Sequence, residues 1–394
     1  MKTSYKYYCG TALAAAAILL GTSGRVVGDD INDDRNNQFD FALIGDVPYA
    51  PTTGASPNKY QTYPVPMPEY GAVIADINAH KKVAFTVHVG DIKAGDTWCA
   101  GGNPAKDPAA AANVYTNNLT LFNSFQAPVV YIPGDNEWTD CHRTNNGAYT
   151  PTERLAYTRS VFFGSSQSLG QHPMTLTRQS SDSGFELYTE NVMWRVGGIL
   201  FVGINQPGSN NNHQRNIANS SPAPGDDSEA EYNARNAANL VWINKAFDSA
   251  TADITTRAIV IMQQANPFER FLEPGQGYTR SGYEAFINTL RTRTVAYAKP
   301  VVLVGGDTHT IRIDKPLTTL YPGHTSATGS GVQPATAGTR IQNFTRVEVF
   351  GSPDTHWVRG VVDPFDPNVF SFAMHVIAGN GHGRDGRTDD DDLQ

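Results

Sequence analysis

Four apolar runs of this chain end in a glycine that is followed at once by an aspartate. Each run is nearly continuous in apolar residues, which is typical of a strand buried on both faces of a sheet. In open α/β sheets the ligand crevice lies at the carboxyl ends of the strands. The pattern therefore predicts a layered α/β fold in which four carboxylates converge at one edge. The four pairs are Gly45-Asp46, Gly90-Asp91, Gly134-Asp135 and Gly306-Asp307.

Four converging carboxylates repel one another strongly unless a cation neutralises them. A single Gly-Asp pair after a strand is usually a turn or a helix cap, but four such pairs are hard to explain by turns alone. Further ligand types follow closely, since Asn136 and Glu137 come directly after Asp135, and His309 lies two positions after Asp307. We therefore expect a metal site.

Apolar runs and helical patterns alternate along the chain, which is typical of an α/β domain. Two further buried runs are "ILFVGINQPGS" and "RAIVIMQQANP", and helices are predicted in "PEYGAVIADINAHK", "NAANLVWINKAFDSA" and "SGYEAFINTLRTRTVAYA". Residues 205–228 are a long polar insertion, predicted as either a disordered loop or a lid. From about residue 341 the pattern becomes strand-like. One domain is expected over residues 39–380.

The ends of the chain predict export. Residues 1–24 have a basic start, an apolar centre and a final stretch of small residues, as in a secretory signal peptide. Residues 25–38 are predicted as a polar linker and 381–394 as an acidic disordered tail. The net charge of −8 argues against a nucleic-acid-binding surface, and no other run is long enough for a transmembrane span. The mature protein is expected outside the cytoplasm, extracellular or periplasmic.

Two cysteines remain once the predicted signal peptide, which contains Cys9, is removed. They are Cys99 and Cys141. An even pair in a secreted chain indicates one disulfide bond. Two free thiols are the alternative.

The blocks "GDVPY", "GDIKAG", "GDNEW" and "GDTH", in that order, resemble those of the calcineurin-like metallophosphoesterases. The resemblance covers roughly residues 39–313. It implies a four-layer α/β/β/α sandwich with mixed sheets and a two-metal site, and the strand-like segments from about residue 341 are expected to join the second sheet. Matched to the family's motifs, five residues are candidate ligands: Asp46, Asp91 as the bridging carboxylate, Asp135, Asp307 and His309.

The chain departs from the family pattern by losing histidines. Pro48 stands at the position of a first-block histidine, and Asn136 replaces the histidine that assists the leaving group. Gln264 lies near the position of a lone histidine, and Asp307 replaces another. Oxygen-rich sites favour hard ions, so Mn²⁺, Mg²⁺ or Ca²⁺, about two per chain, is expected over Zn²⁺, with iron also allowed.

The resemblance implies a secreted phosphoesterase that hydrolyses a phosphate monoester or diester through a metal-activated water. Asn136 is the candidate for stabilising the developing charge, with Arg143 or Lys93, while Glu137 and Gln264 are expected behind the ligands. The substrate would be a phosphorylated small molecule or lipid, and a nucleotidase or sphingomyelinase-like pocket is one version of this. The alternative is a catalytically impaired member of the fold that binds a metal or a ligand without turnover.

Overall fold

The computed structural model describes residues 38–49, 68–107, 113–213, 228–268, 271–273, 277–279, 281–320 and 338–380. The predicted signal peptide, the linker up to residue 37 and the acidic tail from 381 to 394 lie outside the described residues. So does the part of the polar insertion from 214 to 227. Within the described part of the chain, no helix is both long and apolar enough to cross a membrane.

The elements alternate between strands and helices over most of the chain. The strands are β1 (Phe39–Ile44), β2 (Val83–His88), β3 (Val129–Tyr131), β4 (Thr177–Arg178), β5 (Val192–Val196), β6 (Ile199–Gly203), β7 (Ala258–Met262), β8 (Phe271–Glu273), β9 (Gly277–Thr279), β10 (Val301–Gly305), β11 (Arg312–Asp314), β12 (Phe344–Glu348), β13 (Trp357–Val362) and β14 (Phe370–His375). The helices are α1 (Pro68–Ala79), α2 (Val114–Phe122), α3 (Pro151–Phe162), the short turn α4 (Gly208–Asn211), α5 (Ser228–Ala252) and α6 (Glu284–Tyr297).

The main strands form two mixed sheets. The first has the order β14-β13-β1-β2-β3. Strands β1, β2 and β3 are parallel, β13 pairs antiparallel with β1, and β14 pairs antiparallel with β13. The second has the order β11-β12-β10-β7-β6-β5-β4, and its four central strands are parallel. Strands β8 and β9 pair only with each other.

Apolar side chains of the two sheets face each other and form a central core that includes Phe41, Phe85, Phe201 and Val260. The outer face of the first sheet packs against α1, α2 and α3. The outer face of the second sheet packs against α5 and α6, with Trp242 fully buried in that contact. The predicted α/β/β/α sandwich is therefore confirmed by the packing of the layers.

The six apolar runs are confirmed as β1, β2, β3, β6, β7 and β10, and the three predicted helices as α1, α5 and α6. The expectation that the C-terminal strands join the second sheet is wrong for two of them. Only β12 does so, whereas β13 and β14 extend the first sheet. Strand β13 pairs with β1, where Gly360 lies opposite Phe41. A Cβ at Gly360 would lie 2.3 Å from the Phe41 ring, so this glycine makes room for the core aromatic.

Candidate metal site

The four aspartates of the Gly-Asp pairs lie together at the carboxyl ends of their strands. Asp46 follows β1, Asp91 follows β2, Asp135 follows β3 and Asp307 follows β10. The two sheets meet here, since the backbone N–H of Asp307 donates to Asp46 Oδ1 at 2.9 Å. The predicted convergence of the four aspartates at one edge of the fold is therefore confirmed.

Three of these aspartates and His309 adopt the left-handed backbone conformation. Their φ angles are 54° at Asp46, 56° at Asp91, 76° at Asp307 and 55° at His309. Such a residue costs of order ~1–3 kcal/mol and is common at functional sites, with aspartate and histidine among the more tolerant types. The backbone therefore turns sharply at the end of each strand, directly at the acidic cluster.

Asp91, Asp135 and Asp307 form the three-carboxylate cluster. One oxygen from each lies within 4.8 Å of the other two. The nearby backbone of α4 approaches closely, because a Cβ at Gly208 would lie 2.2 Å from Asp307 Oδ1 and 2.7 Å from Asp135 Oδ2. Glycine at this position is required by the available space.

The amide of Gln264 lies at the centre of the three-carboxylate cluster. Its Nε2 is 3.0 Å from Asp91 Oδ2, 3.2 Å from Asp135 Oδ1 and 3.0 Å from Asp307 Oδ1. Its Oε1 accepts from the backbone N–H of Gly208, which fixes the orientation of the amide. An amide nitrogen has two hydrogens for these three acceptors, so this amide can donate to only two of the three carboxylates at a time.

Asp46 and His309 lie beside this cluster. His309 Nε2 is 3.5 Å from Asp46 Oδ1, and Nδ1 is 2.7 Å from the backbone carbonyl of Ser352. Because a carbonyl oxygen only accepts, Nδ1 carries the proton, and in the neutral ring the lone pair of Nε2 faces Asp46. This second-nitrogen anchor is typical of metal-binding histidines. The Tyr49 hydroxyl is 3.4 Å from the same Nε2.

Asn136 joins the metal-ligand candidates to the disulfide. Its Nδ2 donates to Asp91 Oδ2 at 3.2 Å, and its backbone N–H donates to Asp91 Oδ1 at 3.2 Å. Among the described residues its Oδ1 is buried and has no hydrogen-bond partner. Cys99 and Cys141 are bonded as predicted. Their sulfurs lie 3.5 and 3.6 Å from the Asn136 carbonyl oxygen, so the bond packs directly under this residue.

Glu137 holds the backbone behind the cluster. Its carboxylate is fully buried and accepts from the N–H groups of Asp91 and Ile92, each at 3.3 Å, from the N–H of Gly134, and from the Tyr131 hydroxyl at 2.6 Å. Burial raises the pKa of Glu137, although these donors oppose the shift. The structure therefore places Glu137 where it positions Asp91.

The two cationic candidates differ in their surroundings. Lys93 is fully buried, and burial lowers its pKa to about 8, although nearby carboxylates including Glu137 oppose this. Its Nζ donates to the Ala94 carbonyl at 3.1 Å. The Arg143 guanidinium, 15% exposed, is 3.0 Å from Asp140 Oδ2. Arg143 is therefore the cation nearer to solvent.

Sequence reasoning did not assign roles to Asp140 and Ser209. The Ser209 hydroxyl lies 2.7 Å from Asp135 Oδ2 and 3.0 Å from Asp140 Oδ2, and Arg143 reaches it at 3.3 Å. Ser209 comes from the start of the polar insertion, whose described part is largely buried. The sequence predicts the insertion as either a disordered loop or a lid, and its described start does reach the site, but no pattern in the sequence singles out Ser209.

The pKa of Asp91 reflects its burial and the charges of the surrounding carboxylates. Burial, and then the charges of Asp135, Glu137, Asp46 and Asp307, raise its pKa well above the ordinary value. Asp140 shows the opposite balance, because Arg143 and His142 lower its pKa although burial alone would raise it. Of these two carboxyls, Asp91 is therefore the harder to ionise, because its negative charge is the less compensated when no cation is bound.

The residues present fit a hard divalent cation. The three-carboxylate cluster supplies oxygen donors at close spacing, which suits Mg²⁺, Mn²⁺ or Ca²⁺. Asp46 and His309 lie beside this cluster, with His309 Nε2 3.5 Å from Asp46 Oδ1, but among the described residues they complete no second group of three ligands within 4.8 Å of one another. The donor chemistry therefore supports a metal site that is richer in oxygen than in nitrogen.

No family model matches the chain, and no curated protein matches it either. Among solved structures, a dimetal phosphatase from Danio rerio gives a TM-score of 0.43 at 10% identity, covering 86% of this chain and 99% of that one. A protein assigned as a 5′-nucleotidase from Staphylococcus aureus gives 0.39 at 12% identity, covering 86% of this chain and 54% of that one. A 5′-nucleotidase from Candida albicans gives 0.38 at 9% identity, covering 85% and 50%. Likenesses at these scores and identities do not define the activity of this chain. Its activity depends on the side chains of its own site.

Proposed function

We propose that this protein is a secreted, metal-dependent phosphoesterase. The observation that carries the proposal is the three-carboxylate cluster at the junction of the two sheets, in which Asp91 and Asp135 are buried and Asp307 is half-buried, with Asp46 and His309 beside it. Buried carboxylates without a counter-charge destabilise a fold, and Gln264 supplies only two hydrogens for three acceptors. A bound cation would balance this charge.

Asp91, Asp135 and Asp307 would hold one divalent cation, and Asp46 and His309, which lie beside it, would contribute to a second. When bound, such ions supply the positive charge that polarises a phosphoryl oxygen and favours attack by water. The Nδ2 of Asn136 and the hydroxyl of Tyr49 lie 3.4 Å apart, beside His309. These neutral donors can orient phosphoryl oxygens, and Arg143 can approach an anionic substrate from the solvent side.

This arrangement has no histidine at position 136 to donate a proton to the leaving group. Asn136 replaces the histidine of the resembling family, and an amide cannot act as a general acid near neutral pH. The Tyr49 hydroxyl, 3.4 Å from Asn136 Nδ2, is a candidate donor, whereas His309 donates its Nδ1 proton to the Ser352 carbonyl and has its Nε2 assigned to the metal. Substrates with acidic leaving groups, which need no protonation, should therefore be hydrolysed fastest.

The disulfide supports the secreted location that forms part of this proposal. The buried Cys99–Cys141 disulfide suits an oxidising compartment. We propose an extracellular or periplasmic location, a phosphorylated small molecule or lipid headgroup as substrate, and a hard ion such as Mn²⁺ or Mg²⁺.

The proposal is tested with Asp91→Asn, which keeps size and hydrogen-bonding shape but removes the shared charge. We expect loss of bound Mn²⁺ and a fall of about a thousandfold or more in hydrolysis of aryl phosphate mono- and diesters, as expected when several kcal/mol of electrostatic stabilisation are removed. The matched control is His172→Gln, at an exposed histidine, which should keep full activity. Full activity in Asp91→Asn would refute the proposal.

The second candidate function is a binding module without turnover. It is favoured by Gln264, whose amide nitrogen lies within hydrogen-bond distance of all three carboxylates and can donate to two of them at a time without an ion. It predicts metal binding that disappears in Asp91→Asn, together with no hydrolysis by the wild-type protein of any aryl phosphate with any of the candidate metals.

A further inference from the structure

A second group of potential metal ligands lies outside the candidate site. Asp76 is in the last turn of α1, His80 follows the end of α1 directly, and His375 is the last residue of β14. One ligand atom from each lies within 4.8 Å of the other two. We name these three residues the His–Asp–His cluster.

The side chains of this cluster are held in place by their neighbours. The Trp357 indole N–H donates to Asp76 Oδ2 at 2.9 Å, and the ring of His375 stacks on the Trp357 ring with centroids 4.4 Å apart. His80 Nδ1 lies 2.8 Å from the Asp76 backbone carbonyl, which can only accept. In the neutral ring His80 therefore carries its proton on Nδ1 and a lone pair on Nε2.

The nitrogen of His375 nearest to the carboxylate has no hydrogen bond of its own. Its Nδ1 lies 3.0 Å from Asp76 Oδ2, but the contact is not aligned as a hydrogen bond, and within the described residues this buried atom has no other partner. A tetrahedral ion with bonds of about 2.1 Å has its donors about 3.4 Å apart. Asp76 Oδ2 and His375 Nδ1 are already close to that spacing, and binding would require the His80 ring to turn its Nε2 toward them.

We propose that Asp76, His80 and His375 form a separate binding site for a divalent transition-metal ion of the zinc class. A set of two imidazoles and one carboxylate binds Zn²⁺, Co²⁺, Ni²⁺ or Cu²⁺ more tightly than it binds Mg²⁺ or Ca²⁺. The side chains are 30%, 31% and 31% exposed for His80, Asp76 and His375, so the ion can enter from solvent. Three protein ligands leave one position for water.

A bound ion would tie two layers of the fold together. It would join the end of α1 to β14, which is the outermost strand of the first sheet. Edge strands have one unpaired side, so a cross-link there should raise the temperature at which the sheet edge opens. The site is independent of the proposed phosphoesterase activity, because none of its ligands lies in the candidate metal site.

The test compares the chelator-treated full mature chain with the double variant His80→Gln/His375→Gln, using Zn²⁺ as the probe. The matched control is again His172→Gln. We expect wild type and control to bind one more Zn²⁺ equivalent than the double variant, measured by equilibrium dialysis and elemental analysis, and to show the larger Zn²⁺-induced rise in Tm. The Mn²⁺ equivalents should be the same in all three proteins.

Equal Zn²⁺ binding in wild type and the double variant would overturn the proposal. A second measurement uses the unaltered chain and so does not depend on how the variant folds. Zn²⁺ should protect His80 and His375 from carbethoxylation while His172 stays reactive, as read by peptide mass spectrometry. Equal modification of all three histidines with and without Zn²⁺ would also overturn it.

Discussion

The three-carboxylate cluster and the His–Asp–His cluster contrast in burial, charge and donor atoms. The first lies at the junction of the two sheets with Asp91 and Asp135 buried, and burial together with the repulsion of neighbouring carboxylates raises the pKa of Asp91. The second lies at a sheet edge, about one-third exposed, with two imidazoles for one carboxylate. The comparison shows that the burial of a ligand cluster decides whether its charge has to be neutralised. Buried acids need a neutralising partner to be compatible with folding, whereas an exposed cluster can remain solvated.

The largest contrast is expected in the pH dependence of metal-free stability. Because the pKa of Asp91 is raised by folding, the folded chain retains a proton that the unfolded chain releases above the ordinary aspartate value of about 3.9. Metal-free wild type should therefore lose stability relative to Asp91→Asn as pH rises from about 4 to 7, and the relative stability should be constant below that window.

Urea unfolding of both proteins at several pH values, with and without Mn²⁺, measures this difference. Added Mn²⁺ should stabilise wild type near neutral pH but not Asp91→Asn. A metal-free wild type that gains stability over Asp91→Asn with rising pH would contradict the inference that the charge of Asp91 is poorly compensated when no cation is bound.

Removing the disulfide should affect the buried cluster and spare the exposed one. The bond closes a sequence separation of 42 residues, which corresponds to about 4 kcal/mol of unfolding free energy. We expect Cys99→Ser/Cys141→Ser to lose about that amount and to bind Mn²⁺ more weakly, because Asn136 packs on the bond. Zn²⁺ binding at His80 and His375 should persist in the folded variant. Unchanged stability would show that the bond is absent from the native protein.

Gln264→Leu tests whether the amide substitutes for a cation. Hydrogen bonds to charged groups contribute about 1.5–3 kcal/mol, so the metal-free variant should lose about 2 kcal/mol of stability. The Mn²⁺-loaded variant should lose less, because the ion then neutralises the carboxylates. Thermal unfolding of both forms measures this. Equal losses in the two forms would show that the amide has no such role.

Trp357→Phe is expected to give the smallest effect and to act only on the exposed cluster. It removes the indole N–H that orients Asp76 while keeping an aromatic ring against His375. Loss of a group that orients a metal ligand typically costs about tenfold or more in affinity, so Zn²⁺ should bind about tenfold more weakly. Calorimetric titration should show unchanged Mn²⁺ binding, and a parallel loss of both ions would point to general unfolding.

The fold was predictable where burial leaves a periodic signal in the sequence. Near-continuous apolar runs identified the parallel strands, and helices α1, α5 and α6 followed from their spacing. Helices α2 and α3 were missed because they mix apolar with polar residues, such as the buried Asn118 and Arg154. The pairing of β13 with β1 depends on a contact between distant parts of the chain, which no local pattern encodes.

The candidate site was predictable in part for the same reason. The aspartates are adjacent to strand ends, so a local motif located them. Ser209 and the central position of Gln264 depend on how loops fold back onto the sheets. The His–Asp–His cluster joins residues from near the two ends of the described chain, and only the Asp76 and His80 pair, one helical turn apart, was visible in the sequence.

The left-handed backbone at Asp46, Asp91 and Asp307 has a consequence for protein engineering. Glycine and asparagine adopt this conformation as readily as aspartate, whereas β-branched residues do so at a substantial cost. A library randomised at these three positions should therefore return folded proteins mainly with Gly, Asn or Asp. This conformational preference does not depend on the charge of the side chain, so survivors selected for folding alone and survivors selected for metal uptake should differ at these positions.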